Sequence, residues 1–309
     1  MTALFESSGD LIADRRYALG CGLRARGDIA GAADLFAQAG EAAPGFTAAW
    51  FALGEAHEAL GEHGAARTAF ARALAIDPAD RHGASLHLAR LGVDAAGGAM
   101  PAAYVRAVFD QYAPRFDLAL TQGLAYRAPE LILAAARAAC EAAARPFHFA
   151  DVLDLGCGTG LGGAAFRPSA DRLTGMDLSG EMIRLARTKE IYDRLEVAEI
   201  VAFLDRERRS GTAWDLVAAA DVFAYFGDLH APFAACARVM KPDGLLAFSV
   251  ETHPGEGFVL GEKLRYAHSE NYVRAALAAA GLRALIIEHA SPRNEAGAPV
   301  PGLVAVATH

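Results

Sequence analysis

A short apolar segment runs directly into a glycine-rich turn near the middle of this 309-residue chain. Residues 151–155 read D-V-L-D-L, as expected of a buried strand, and residues 156–160 read G-C-G-T-G. Glycines allow a tight turn and let the N-terminus of the next helix approach a ligand closely. From about Tyr104 onward, short apolar strands alternate with amphipathic helices, which predicts βαβ units and a mostly parallel sheet.

Two kinds of nucleotide site begin with such a turn. A G-x-G-x-x-G pattern that starts at Gly158 also fits a dinucleotide site. If the turn starts at Gly156, however, Leu161 stands where a dinucleotide fold needs its third glycine. Asp154 at the strand end would repel a pyrophosphate but can receive the ammonium group of an amino acid. The turn therefore favours a ligand that carries a positive charge.

Acidic residues also follow the next two predicted strands. Residues 173–176 end at Asp177, where a carboxylate can accept both hydroxyls of a ribose in either kind of nucleotide site. Residues 195–198 lead to Glu199, placed to receive the exocyclic amine of an adenine with Ile200 beside the ring. The alternative for Glu199 is a solvated acid at a strand end. Ser179 is a predicted helix N-cap.

The order of these segments is typical of one enzyme class. The sequence reads V-L-D-L-G-C-G-T-G, then G-M-D-L-S, then W-D-L-V-A-A-A-D-V-F at 214–223, then V-M-K-P-D-G-L-L-A-F-S at 239–249. Over about 200 residues the chain resembles the class I S-adenosylmethionine-dependent methyltransferases. The resemblance implies an α/β fold with a Rossmann-like sheet of seven strands, the last antiparallel. Residues 285–289 and 303–308, joined by a turn-rich stretch, are predicted to supply the two terminal strands.

The resemblance implies S-adenosyl-L-methionine as cofactor and S-adenosyl-L-homocysteine as product. Residues 109–117, F-D-Q-Y-A-P-R-F-D, resemble the segment that precedes the sheet in methyltransferases fused to tetratricopeptide repeats, and in related enzymes such a segment covers the cofactor. The alternative is that its aromatic residues only pack a helix onto the sheet. The predicted cofactor-binding residues are Tyr112, Phe116, Asp154, Gly156, Cys157, Gly158, Asp177, Leu178, Met182, Glu199, Ile200 and Ala220.

Methyl transfer from a sulfonium is an in-line displacement, so alignment of acceptor and methyl group supplies most of the catalytic effect. A general base adds to this where the acceptor is a hydroxyl or an ammonium. The candidate bases after the fourth and fifth strands are Tyr225, Glu251, His253, Tyr266 and His268, of which Tyr225, His253 and His268 are the predicted catalytic residues. Against this, a lone loop histidine is more often simply exposed. The stretch 251–268 is predicted to be too irregular for the sheet and long enough to act as a lid over the acceptor.

The N-terminal part of the chain repeats at an offset of 34 residues. The matched pairs are Leu19 with Leu53, Gly20 with Gly54, Gly27 with Gly61, Ala32 with Ala66, Phe36 with Phe70, Ala39 with Ala73 and Pro44 with Pro78. The pattern resembles the tetratricopeptide repeat, and residues 81–92 are predicted to form a terminal helix that closes the stack. Such arrays present a concave surface to a partner; the alternative is a dimerisation or packing element.

The composition and the charge argue against a nucleic-acid partner, a zinc site and a membrane span. The net charge is −8, and no cluster of Lys and Arg interleaved with aromatic residues is present, so we expect no nucleic-acid partner. The four cysteines have no C-x-x-C spacing, so we expect neither disulfides nor zinc. The sequence shows no basic-apolar leader and no long apolar run, so we expect no membrane span and a cytoplasmic location.

The sequence thus predicts three segments: a repeat domain at 1–95, a linker at 96–102 and a methyltransferase domain at 103–309. The first hypothesis is methyl transfer to a small molecule, with the repeats serving assembly or stability. The second is a protein acceptor that the repeats recruit, and the third is a scaffold without turnover.

Overall fold

The computed structural model describes residues 7–93 and 98–309 of the chain. Residues 1–6 lie outside the described residues, and so does the first part of the predicted linker at 96–102. The described residues divide into two compact units, one formed by residues 7–93 and 100–107 and the other by residues 98–99 and 108–309. Among the described residues, helices build the first unit, whereas a sheet flanked by helices builds the second.

Glycine and phenylalanine pack against each other in the same way in both repeats of the first unit. A Cβ atom on Gly20 would lie 2.7 Å from Cε1 of Phe36, and one on Gly54 would lie 2.6 Å from Cε1 of Phe70. Both phenylalanine side chains are fully buried. The predicted repeat is confirmed, because residues that match at the 34-residue offset also make the same packing contact in both repeats. The helices are α1 (Leu11–Ala25), α2 (Ile29–Ala42), α3 (Thr47–Ala59), α4 (His63–Ile76) and α5 (Ala84–Arg90).

The terminal helix α5 is shorter than the predicted 81–92. Asp80 adopts a φ of 55°, and its carboxylate accepts hydrogen bonds from the backbone N–H groups of Ala84 at 2.6 Å and Ser85 at 3.0 Å. This carboxylate satisfies donors in the first turn of the helix, so the residues just after Asp80 form a turn before the helix begins.

The sheet of the second unit has the strand order β3-β2-β1-β4-β5-β11-β8. Its first five strands are parallel, while β11 runs antiparallel to both β5 and β8. The predicted series of seven strands with an antiparallel last strand is confirmed, and the two short strands β6 and β7 bring the whole sheet to nine strands. The strands are β1 (Phe149–Leu155), β2 (Ala170–Asp177), β3 (Arg194–Val197), β4 (Trp214–Ala219), β5 (Met240–Thr252), β6 (Phe258–Leu260), β7 (Tyr266–His268), β8 (Arg283–His289), β9 (Asn294–Glu295), β10 (Ala298–Pro299) and β11 (Gly302–Thr308).

The prediction that residues 251–268 stay outside the sheet is wrong. Strand β5 continues to Thr252, and β7 pairs with its end in parallel, with Glu251 opposite Ala267. Strand β6 pairs with β7 in turn. These two strands have three residues each, and glycines separate them from β5, so they are too short to produce a periodic apolar signal.

Both faces of the sheet are buried. One face packs with Phe203, Phe233 and Val273 of three helices, and the other packs with Ile132 and Phe166 of two more. Burial on both sides explains why the central strands are continuous apolar runs. No helix in the described part of the chain is long and apolar enough to cross a membrane. The remaining helices are α6 (Ala102–Tyr112), α7 (Phe116–Leu118), α8 (Ala128–Ala142), α9 (Leu161–Phe166), α10 (Gly180–Thr188), α11 (Ile200–Ser210), α12 (His230–Ala237) and α13 (Glu270–Ala279).

Candidate functional site

The glycine-rich turn leaves β1 at the carboxyl edge of the sheet, beside the end of β2. Gly156, Gly158 and Gly160 have φ angles of +61°, +53° and +96°, which residues with a Cβ atom rarely adopt. A Cβ atom on Gly156 would also lie 2.6 Å from Cγ2 of Val222. The backbone of the turn therefore requires glycine at these positions.

Asp177 ends β2 and connects the two turns that follow β1 and β2. Its carboxylate accepts hydrogen bonds from the backbone N–H of Gly158 at 2.9 Å and from that of Ser179 at 2.8 Å. Burial raises the pKa of Asp177 to about 6, although these two hydrogen bonds lower it; the charge of Asp110 raises it further. Asp177 is thus fixed in place against the glycine-rich turn.

Asp154 lies one strand away, in β1, and is also buried. Burial raises its pKa to about 7, and the charge of Asp177 adds to this increase, whereas a hydrogen bond from Tyr192 lowers the pKa. In the described part of the chain, no ion pair joins either carboxylate to Lys or Arg. Two buried acids without a cation make a site that favours a positively charged ligand.

Tyr192 is a site residue that the sequence analysis missed. Its hydroxyl donates to Oδ2 of Asp154 at 2.6 Å. Its ring fills a hollow lined by glycines: a Cβ atom on Gly163 would lie 2.2 Å from the Tyr192 hydroxyl, and one on Gly175 would lie 2.7 Å from the ring. Gly175 inside β2 was the available signal, because glycine within a strand often marks a close approach.

The segment 109–117 is tied to both turns. Asp110 accepts a hydrogen bond from the Ser179 hydroxyl at 2.5 Å. Asp117 accepts a hydrogen bond from the Thr159 hydroxyl and forms an ion pair with Lys189 at 2.7 Å. These contacts anchor the segment beside the two acids that follow β1 and β2.

The aromatic residues of this segment lie over the glycine-rich turn. Ring atoms of Phe116 would lie 3.5 Å from a Cβ atom on Gly158. The Tyr112 and Phe116 rings are 5.6 Å apart between centroids, and Phe109 lies 5.3 Å from the Tyr225 ring. The structure therefore places Phe116 at the glycine-rich turn with Tyr112 against it, whereas Tyr225 contacts the segment through Phe109.

The other predicted cofactor-binding residues follow four different strands: Cys157 follows β1, Leu178 and Met182 follow β2, Ile200 follows β3 and Ala220 follows β4. Cys157 is buried, and its backbone N–H donates to the carbonyl of Met176 at 2.9 Å. Met182 is fully buried, while Leu178, Ile200 and Ala220 are half-buried. Ser179 caps α10 as predicted, since its hydroxyl accepts from the backbone N–H of Met182 at 3.1 Å.

Glu199 is the N-cap of α11. Its two carboxylate oxygens accept hydrogen bonds from the backbone N–H groups of Val201 at 3.1 Å and Ala202 at 2.8 Å. The side chain therefore satisfies two backbone N–H donors in the first turn of the helix. The sequence indicated an adenine contact or a solvated acid and did not predict this cap.

The ring nitrogens of the two predicted histidine bases lie within hydrogen-bonding distance of backbone groups. His268 is fully buried, and its Nε2 lies 2.9 Å from the carbonyl of Phe226 and 3.1 Å from that of Gly227. Burial lowers the pKa of His268 to about 4 despite these carbonyls. His253 accepts at Nδ1 from the N–H of Gly255 at 3.1 Å, and its Nε2 lies 3.3 Å from the Gly257 carbonyl.

A buried arginine lies beyond the ends of β4 and β5. Arg293 forms an ion pair with Asp221 at 2.5 Å, contacts the carboxylate of Glu251, and lies 3.2 Å from that of Glu295. Asp221 has a φ of 57°, and its backbone N–H donates to the Ser249 hydroxyl at 2.9 Å. Sequence reasoning missed Arg293, because two of its partners, Asp221 and Glu251, lie far away in the chain.

Family comparisons match both units. A family model described as a methyltransferase domain matches residues 153–246, and one described as a tetratricopeptide repeat matches residues 23–91. Methyltransferase-like protein 27 of Homo sapiens is 36% identical over 123 residues, which cover 40% of this chain and 49% of that protein. Ubiquinone biosynthesis O-methyltransferase of Xylella fastidiosa is 31% identical over 116 residues, which cover 37% and 47%. The chain thus spans about half the length of these relatives.

A solved structure shares the fold of the second unit. Magnesium protoporphyrin IX methyltransferase from Synechocystis PCC 6803, with bound S-adenosylhomocysteine, aligns with 67% of this chain and 98% of its own, at a TM-score of 0.50 and 17% identity. The strand order agrees with these matches: residues 153–246 match a methyltransferase domain, and residues 23–91 match a tetratricopeptide repeat.

Proposed function

We propose that the chain is an S-adenosylmethionine-dependent methyltransferase whose acceptor is a small molecule. The observation that carries this proposal is the pair of buried acids, Asp154 and Asp177, which flank the glycine-rich turn without a cationic partner in the described residues. A cofactor with an ammonium group and a ribose diol suits such a pair, since it supplies the missing positive charge and two hydroxyl donors.

Each acid has a separate task in this proposal. Asp177 receives the ribose hydroxyls, because the backbone N–H groups of Gly158 and Ser179 already hold its carboxylate in place. Asp154 receives the ammonium group. Tyr112 and Phe116 cover the methionine part of the cofactor and exclude water from it. S-adenosylmethionine, when bound, supplies an activated methyl group on its sulfonium.

The packing of Gly163 argues against a dinucleotide. Gly163 would complete a G-x-G-x-x-G pattern, but the Tyr192 ring occupies the space that the missing side chain leaves. Close packing against Tyr192 therefore explains why residue 163 is glycine, and no bound dinucleotide is needed to explain it. A pyrophosphate would also lie beside two acids, which disfavour it.

Catalysis in this proposal depends on alignment of the acceptor with the methyl group. The acceptor lies beyond the ends of β4 and β5, where open α/β sheets bind ligands. Tyr225 and His253 are the candidate groups for moving a proton there. We assign His268 to holding the Phe226 and Gly227 carbonyls, because it is fully buried.

Calorimetry tests the cofactor assignment. S-adenosylmethionine, S-adenosylhomocysteine and NAD are titrated into the wild type, Asp177→Ala and Asp205→Ala. Asp205 is a matched control, since it pairs with Arg238 on the surface. We expect the first two ligands to bind the wild type and the control, and Asp177→Ala to bind at least about tenfold more weakly, because hydrogen bonds to a charged group are lost. Tight binding of NAD instead would overturn the assignment.

A labelled methyl group distinguishes the acceptor classes. The relatives named as O-methyltransferases of ubiquinone biosynthesis support a small acceptor. The tetratricopeptide match supports the alternative, a protein acceptor that the repeats recruit. The full chain is incubated with cell extract and S-adenosylmethionine labelled in its methyl group. Label in the low-molecular-weight fraction supports the first proposal, whereas label confined to protein supports the alternative.

We also propose the domain division at 1–95, 96–102 and 103–309 and a cytoplasmic location. The four free cysteines suit a reducing compartment. Limited proteolysis tests the division: cleavage confined to 92–102 would support it, while cleavage within the sheet would contradict it.

A further inference from the structure

Tyr192 forms a direct hydrogen bond with Asp154, one of the two buried acids of the site. The phenol donates to Oδ2 of the carboxylate at 2.6 Å, a distance typical of a strong hydrogen bond to a charged acceptor. Burial, with the charge of Asp154, raises the pKa of Tyr192 far above its usual value, so the hydroxyl keeps its proton and donates.

The protein makes room for this tyrosine at three separate positions. Gly163 and Gly175 contact the ring most closely, and a Cβ atom on Gly160 would lie 3.1 Å from Cε2 of the same ring. These glycines come from the turn after β1, from α9 and from β2. A ring enclosed on several sides has few alternative orientations, so the hydroxyl is aimed at one oxygen of Asp154.

We propose that Tyr192 is a positioning residue that holds the Asp154 carboxylate in the orientation and charge state in which it receives the ammonium group of the cofactor. This inference rests on the proposed function. Tyr192 itself need not touch the cofactor, because it acts through the carboxylate.

The surroundings of Asp154 explain why it needs this support. Among the described residues, Tyr192 and Asp177 shift the pKa of Asp154, and the charge of Asp154 in turn acts on Cys157 and Tyr126. Burial raises the pKa values of Cys157 and Tyr126 far above their usual values, so both stay neutral. The charge of Asp177 opposes ionisation of Asp154, whereas the Tyr192 hydroxyl favours it.

The test compares binding of S-adenosylhomocysteine by the wild type and Tyr192→Phe from pH 6 to pH 9. Phenylalanine keeps the ring in the glycine hollow and removes only the hydroxyl. Loss of a hydrogen bond to a carboxylate corresponds to about one pKa unit. We therefore expect the midpoint of the pH dependence to rise by about one unit, with about tenfold weaker binding below pH 7 that recovers toward pH 9.

A matched control and a second background complete the test. Tyr272 also donates to a carboxylate, that of Asp228 at 2.9 Å, and Tyr272→Phe is expected to leave the pH profile unchanged. In the Asp154→Asn background, Tyr192→Phe is expected to cause no pH-dependent loss. If Tyr192→Phe fails to fold, incorporation of 3-fluorotyrosine strengthens the hydroxyl donor, and the midpoint should fall.

The outcomes separate this inference from the proposed function. An equal loss of affinity at every pH in Tyr192→Phe, or no change at all, would overturn the positioning role while the wild type still binds. An unchanged midpoint with 3-fluorotyrosine would do the same. Absence of S-adenosylhomocysteine binding by the wild type at any pH would overturn the proposed function.

Discussion

The carboxylate of Asp177 accepts a hydrogen bond from the backbone N–H of Gly158, so the end of β2 is fastened to the turn that follows β1. The same carboxylate accepts from the N–H of Ser179. One side chain thus sets the shape of two turns at the carboxyl edge of the sheet. Any ligand held by Asp177 is placed by the strands themselves rather than by a mobile loop.

The first prediction concerns Asp177→Asn. The amide oxygen can still accept one of the two backbone hydrogen bonds, but the amide nitrogen cannot accept the other. We expect the fold to persist and the Kd of S-adenosylhomocysteine to rise at least about tenfold. Calorimetry measures the affinity, with Asp205→Asn as the control. Unchanged affinity would contradict the role assigned to Asp177.

The second prediction concerns the pH dependence of cofactor binding. The pKa values of Asp154 and Asp177 are raised to about 7 and about 6, and a bound ammonium favours their ionised forms. Binding is therefore strongest above about pH 7, weakens as pH falls through 7 and 6, and releases protons in that range. Calorimetry in buffers of different ionisation enthalpy counts these protons, and proton uptake would contradict the prediction.

The third prediction concerns the stability of the protein without ligand. The pKa of Asp154 is raised in the folded state, so the unfolded chain ionises this group first as pH increases. Its contribution to stability is therefore complete below about pH 4 and is lost as pH rises toward 7. We expect Asp154→Asn to raise the Tm at pH 8 and to weaken S-adenosylhomocysteine binding. A lower Tm of Asp154→Asn at pH 8 would contradict the prediction that the Asp154 charge lowers stability while it favours ligand binding.

The fourth prediction concerns the repeats. Gly54→Ala places a methyl group 2.6 Å from the buried Phe70 ring, and overpacking of this kind costs about 1–3 kcal/mol. Gly64→Ala is the control, because nothing lies within 4 Å of the added atom in α4. Chemical denaturation should show a loss of stability for the first variant and none for the second. Equal stabilities would contradict the packing described for the repeats.

The fold could be predicted from the sequence because its main elements leave local patterns in the chain. The apolar strands, the glycine-rich turn and the repeat at 34 residues are all visible along the chain. The short strands β6 and β7 escaped it, since three residues carry no periodic signal.

The site was predictable only in part. Asp154 and Asp177 follow strands, and the carboxyl ends of parallel strands meet at one edge, so the sequence brings them together. Tyr192 reaches Asp154 from 38 residues away, and Arg293 reaches Asp221 from 72 residues away. Such contacts depend on the fold as a whole, and only the glycines that make room for the Tyr192 ring, Gly175 among them, were visible in the sequence.

A crystal structure of the chain with S-adenosylhomocysteine tests the central claim most directly. We predict that the ribose hydroxyls contact Asp177 and that the amino group lies within hydrogen-bonding distance of Asp154, with the Tyr192 hydroxyl still on the other oxygen. A ligand bound elsewhere, or one whose amino group faces away from Asp154 and whose ribose does not reach Asp177, would contradict the account.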